Sequence, residues 1–155
     1  MKINMTQWIQ DTISSPVKKA MPILSFPGVQ ITGHTVEEMV RDGHLQAECM
    51  KAVADRFDTG AAFSLMDLSV EAEAFGSPVH YSEDEVPTVT AALVHDEDEA
   101  EALQVPEVGA GRTGECVKGI REVTEMITDR PVLAGIIGPF SLAGRILDMT
   151  EIMIL

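Results

Sequence analysis

Residues 61–76, Ala-Ala-Phe-Ser-Leu-Met-Asp-Leu-Ser-Val-Glu-Ala-Glu-Ala-Phe-Gly, constrain the fold of this chain more than any other stretch. The run from Ala61 to Met66 is almost wholly apolar, has no helical period and is entered through Thr59-Gly60. A strand buried on both faces reads this way, and such strands belong to parallel sheets covered by helices. The run then meets Asp67, Glu71 and Glu73 before it stops at Gly76. An acid at the carboxyl end of a buried strand stands at the rim of a parallel sheet, where α/β folds place their chemistry. Asp67 is therefore the first candidate site residue. Glu73 reads as a solvated residue of a short helix, and Glu71 reads equally well as one.

The flanking segments extend the pattern. Met21 to Gly28 reads as a first strand, with Pro22 at its start and Pro27-Gly28 as its stop. Thr35-Val36-Glu37-Glu38 is a capping box. It opens a helix whose inner face is Val36, Met39, Val40, Ala47, Met50, Val53, Ala54 and Phe57, interrupted by Gly43. Strand, helix, strand is a βαβ unit with parallel strands. After Gly76, residues 78–82 and 86–90 read as a surface hairpin or edge strands, because their prolines exclude a central position. The acidic run Asp96 to Glu101 opens a short helix. Thr113 is expected to cap a long helix facing Val117, Ile120, Val123, Thr124 and Ile127 inward. Val132 to Ile137 reads as a third buried strand, running through Gly138-Pro139-Phe140-Ser141 into a last helix from about Leu142. The fold class is α/β, with about three βα units and a small β hairpin insertion. Residues 1–20 form an amphipathic lead-in helix with Trp8, Ile9 and Ile13 on a core flank, and residues 21–155 form an incomplete domain. The uncapped apolar ending Ile152-Met153-Ile154-Leu155 and the open sheet edges imply self-association or a complementing carboxyl-terminal half.

Charge narrows the partners. Eleven basic residues against 25 acidic ones give a formal charge of −14, which argues against nucleic acid and anionic membrane. The first residues lack the apolar core of a signal peptide, so a cytoplasmic location is expected. Cys49 and Cys116 sit in helical patterns without a CxxC neighbour and read as reduced, buried thiols. His34, His44, His80 and His95 show no metal-ligand spacing, and no metal ligand is assigned. Gly109-Ala110-Gly111-Arg112-Thr113-Gly114 matches GxGxxG, but the preceding residues 104–108 make a poor strand, so a loop with a helix start is the better reading.

Two segments carry a family resemblance: Asp67-Leu68-Ser69-Val70-Glu71-Ala72-Glu73-Ala74-Phe75-Gly76 and Gly138-Pro139-Phe140-Ser141-Leu142-Ala143-Gly144. Together they resemble the uroporphyrinogen decarboxylase superfamily of (β/α)8 TIM barrels, of which this chain would match the amino-terminal half. In the decarboxylases the resemblance implies a substrate-binding aspartate at Asp67 and an arginine-rich loop after the first strand. Residues 26–33, Phe-Pro-Gly-Val-Gln-Ile-Thr-Gly, contain no arginine. The wording is closer to the corrinoid-dependent methyltransferases, such as the methylcobamide:coenzyme M methyltransferases. For that branch the resemblance implies a catalytic Asp67 and a cleft lined by Glu71, Gly138, Phe140 and Ser141. It also implies a small-molecule or corrinoid-protein substrate. This chain alone is expected to bind no cofactor; corrinoid, and Zn held by a carboxyl-terminal His-x-Cys pair and a later Cys, are implied only for a full-length parent. The alternatives are uroporphyrinogen decarboxylation and a non-catalytic fragment that associates with another polypeptide.

Overall fold

A computed structural model describes residues 3–154. The chain enters through α1 (Met5–Ser14), capped by Asn4, whose Oδ1 accepts the Gln7 N–H at 3.1 Å. Trp8 is half-buried, but Ile9 and Ile13, expected against the core, are exposed. The strand expected over 21–28 joins no ladder among the described residues. The Ala20 carbonyl accepts the Gly60 N–H at 2.9 Å, so the segment starts alongside the central run. Pro22 and Pro27 then bring no donor, and the chain turns into α2 (Gly28–Thr32). A Cβ on Gly28 would stand 2.6 Å from Cys49 Cβ, which sets how closely α2 approaches the next long helix.

The capping box forms as its spacing requires. Glu38 N–H donates to Thr35 Oγ1 at 3.1 Å, and Thr35 N–H donates to Glu38 Oε2 at 2.9 Å, opening α3 (Val36–Arg41). As expected, the helix is interrupted at Gly43. It breaks at Asp42, whose side chain accepts the His44 N–H at 2.7 Å and starts α4 (Gly43–Arg56). The glycine therefore begins a helix.

The central run forms β1 (Ala62–Phe63). After it come α5 (Val70–Phe75), the antiparallel pair β2 (Val79–His80) and β3 (Thr88–Val89), and α6 (Glu97–Ala102), which Asp96 caps. The long helix α7 (Arg112–Met126) follows, then β4 (Val132–Leu133), α8 (Pro139–Ile146) and α9 (Met149–Ile154). Ala62 pairs with Val132 and Phe63 with Leu133 in parallel, through Ala62 N–H to Pro131 O at 2.9 Å and Ser64 N–H to Leu133 O at 3.0 Å. Two of the three expected parallel runs thus lie side by side.

Three local expectations are corrected. Gly111, not Thr113, precedes the first turn of α7; the Thr113 hydroxyl donates instead to the Ala110 carbonyl at 2.5 Å. The buried stripe of α7 is Gly119, Val123 and Ile127, while Val117 and Thr124 are exposed. The reason is the contact with α4: a Cβ on Gly43 would stand 2.4 Å from Glu115 O, so the two helices meet along that stripe. Finally, α8 starts at Pro139 rather than Leu142, since proline suits a first helical position.

The core has three parts. Ala47, Met50 and Ala54 of α4 meet Val123 and Ile127 over Ala62 of β1. Val36, Met39, Val40 and Cys49 gather on Leu65. Ala72, Val94 and Ile146 bring α5, the post-hairpin segment and α8 together. Among the described residues no helix is long and apolar enough to cross a membrane.

Candidate functional site

Both members of the parallel pair end at one cleft of about 440 Å³. Its walls are residues 64–68 beyond β1, residues 134–137 beyond β4, Glu71 of α5, Gln46 and Met50 of α4, and Thr113, Cys116, Val117 and Ile120 of α7. The structure brings Asp67 and Glu71 together in this wall. It does not bring Gly138, Phe140 and Ser141 into it: Gly138 caps α8, Phe140 is 60% exposed, and Ser141 is on the surface.

Asp67 stands where the central strand gives way to a turn. Its Oδ1 accepts both the N–H and the hydroxyl of Ser69, at 2.8 and 2.6 Å. An aspartate binding the amide two residues on is the local device that ends an extended segment. Oδ2 accepts Arg112 Nη1 at 2.5 Å. The Asp67 side chain is 0% exposed, so its carboxylate is enclosed by the protein rather than open to solvent.

Arg112 holds more than Asp67. Its Nε donates to Glu73 Oε2, and its Nη2 donates to Ser69 Oγ at 2.8 Å. The other Glu73 oxygen accepts the Tyr81 hydroxyl. The Tyr81 ring lies 5.1 Å from the Arg112 guanidinium and 3.7 Å from that of Arg41. One connected set of charges and rings therefore joins α3, the end of β1, α5, the β2–β3 hairpin and α7. Burial works against the charge of Arg112, but Asp67 and then Glu73 outweigh it and raise its pKa. Burial, then the bond to Glu73, pushes the Tyr81 hydroxyl up to about 12.

The remaining cleft groups differ in kind. Glu71 Oε1 accepts the Ile137 N–H at 3.5 Å, a long bond that ties α5 to the exit of β4. Burial pushes the Cys116 thiol up to about 11, with Arg112 pulling it down and Asp67 and Glu71 adding to the rise. A thiol held that high is neutral at physiological pH and is a poor nucleophile. Gln46 is buried and its Nε2 has no hydrogen-bond partner. The lining contains acids and no Lys or Arg among the described residues. Among the described residues no group of three His, Cys, Asp or Glu side chains stands close enough to hold a metal ion.

Reading the sequence missed Arg112, Tyr81, Gln46 and Cys116 as site residues. Arg112 lies inside the Gly109–Gly114 motif, set aside as a loop; the positive φ of Gly109 (84°) and Gly111 (53°) shape that loop before the helix begins. The available signal was charge balance: acids at the end of a buried strand require a cation.

The sequence profile described as uroporphyrinogen decarboxylase (URO-D) matches residues 9–154. A methylcobamide:CoM methyltransferase MtbA of Methanosarcina acetivorans is 29% identical over 141 residues, covering 83% of this chain and 42% of that protein. The protein of the same name from Methanosarcina mazei is 28% identical over 141 residues, with the same shares covered. A solved structure of a methyltransferase from Methanosarcina mazei superposes with a TM-score of 0.78 at 20% identity, over 98% of this chain and 48% of that one. The chain thus spans less than half the length of these relatives. With nearly its whole length matched, the chain belongs to the uroporphyrinogen decarboxylase (URO-D) family.

Proposed function

We propose that residues 21–155 are the amino-terminal part of a TIM barrel, that residues 1–20 lead into it, and that the barrel serves corrinoid-dependent methyl transfer to a thiol. The observation that carries this reading is the cleft. It lies where the parallel strands β1 and β4 end, which is where α/β barrels gather their chemistry. Its lining is mostly apolar, with Glu71 as its accessible acid and no Lys or Arg among the described residues, which favours methyl transfer over decarboxylation of a polycarboxylate that needs cationic partners. The kinship with methylcobamide:CoM methyltransferases points the same way.

In such a transfer the corrinoid would supply the methyl group as an electrophile, its cobalt keeping the electron pair of the broken cobalt–carbon bond, while the thiol would lose its proton as its sulfur takes the methyl group. The described residues do not fit a zinc site. The chain's own contribution is to shape one wall of the barrel mouth. Glu71 presents a carboxylate to the cleft, and Asp67 acts on the reaction through the set of bonds it shares with Ser69 and Arg112. The rest of the mouth comes from a complementing carboxyl-terminal half.

The test is an assay of the polypeptide as its gene expresses it, once with methylcobalamin and a small thiol, once with uroporphyrinogen. Loss of the methyl-corrinoid absorbance with formation of methylated thiol supports the reading. Decarboxylated porphyrins without methyl transfer overturn it.

A further inference from the structure

Residues 67, 69 and 73 bracket Glu71 in sequence, and one side chain grips all three. Arg112 bonds Asp67 and Ser69 on the approach to α5 and Glu73 two residues beyond Glu71. Its side chain is 6% exposed, so these bonds form away from competing water. The fork geometry of a guanidinium fixes direction as well as distance, which an ammonium does not. On a helix of six residues, held at its entry and at its fourth residue, the rotational setting is decided. Glu71 then projects to the cleft and reaches the Ile137 N–H beyond β4.

We propose that Arg112 is the positioning residue of the cleft: by clamping Asp67, Ser69 and Glu73, it fixes the orientation of α5 and so sets where the Glu71 carboxylate stands. Arg112 touches no substrate in this arrangement, because its side chain is 6% exposed and does not line the cleft, while each of its three nitrogens bonds a protein group. Tyr81 extends the clamp to the β2–β3 hairpin through Glu73, with its ring beside both Arg112 and Arg41. The inference rests on the reading of the cleft as the reaction site, but its first test does not.

That test follows the Ile137 amide by ¹H–¹⁵N NMR in the wild type, Glu71→Gln and Arg112→Lys. Glu71→Gln identifies the shift that reports loss of the carboxylate. Arg112→Lys keeps the charge but loses the fork, and it should move the Ile137 amide in the same direction while the amides of Ala47 and Val123 stay in place. An unmoved Ile137 amide in folded Arg112→Lys overturns the proposal. In the methyl-transfer assay Arg112→Lys should lower kcat by about tenfold to a hundredfold with a smaller effect on KM. Unchanged kcat beside an active wild type also overturns it. If the wild type transfers no methyl group, the functional reading fails, and the Ile137 result still decides the role of Arg112. Should Arg112→Lys not fold, Glu73→Gln, which weakens one arm of the clamp, must give the same Ile137 displacement; no displacement there refutes the clamp.

Discussion

The contact between α4 and α7 predicts an outcome opposite to helix propensity. Gly43→Ala replaces a poor helix former by the best one, which alone favours the helix by up to about 1 kcal/mol. Gly43 has no positive φ, so alanine meets no backbone strain there. The obstacle is space: the added Cβ would stand 2.4 Å from Glu115 O and 2.9 Å from Gly119 N. Both are backbone atoms of α7 and cannot rotate away, so the helices must separate. Separation also stretches the Gly43 N–H bond to Glu115 Oε2, now 2.7 Å. Overpacking of this kind costs about 1–3 kcal/mol. With the propensity gain set against its upper end, the net loss is about 2 kcal/mol, a fall in Tm of roughly 4–8 °C for a chain of this size. Thermal unfolding followed by circular dichroism measures it. Gly119→Ala strikes the same contact from the other side, at 2.8 Å from Gly43 O. Once either alanine has parted the helices the other costs less, so the double variant should lose less than the sum of the singles. An unchanged or higher Tm for Gly43→Ala, or strict additivity, would refute the reasoning.

Three further outcomes follow from the site and core. Asp67→Asn leaves Arg112 with one carboxylate fewer and should cut methyl transfer by well over tenfold, on the order of 10², in a turnover assay; full turnover would remove Asp67 from the account. Met39, 1% exposed, fills the second core cluster, and Met39→Ala should cost about 2–5 kcal/mol by denaturant titration. Cys116 ionises at about 11 in the folded chain against an ordinary 9.0, so the unfolded chain loses its proton first. Its contribution to stability is complete below the unfolded pKa and fades as pH rises toward the folded one. The denaturation midpoint should therefore fall between about pH 9 and about pH 11, and fall less in Cys116→Ser, which has no thiol to titrate.

Local chemistry made part of this structure legible. Thr35 and Glu38 are three residues apart, and their reciprocal bonds need nothing from the rest of the chain. Asp96 at the head of its helix is similarly self-contained. The apolar run at Ala61 read correctly as a buried segment parallel to that at Val132. What failed depended on distant partners. The segment at Met21 has strand composition, but a ladder needs a neighbour with free donors and acceptors, and its own prolines limit what it offers. The inward stripe of α7 was misread because two glycines, 76 residues apart in sequence, decide which face meets α4. Arg112 was hidden for a related reason. Arginine is seldom buried, and its partners Asp67 and Glu73 lie 45 and 39 residues away.

The claim on which the rest depends is that the cleft beyond β1 and β4 faces the reaction. Chemical-shift mapping with methylcobalamin added to the ¹⁵N-labelled protein tests it most directly. The largest shifts should fall on residues 64–71, 113–120 and 134–137. Shifts centred instead on the hollow between Trp8, Lys18 and Arg130 would contradict it.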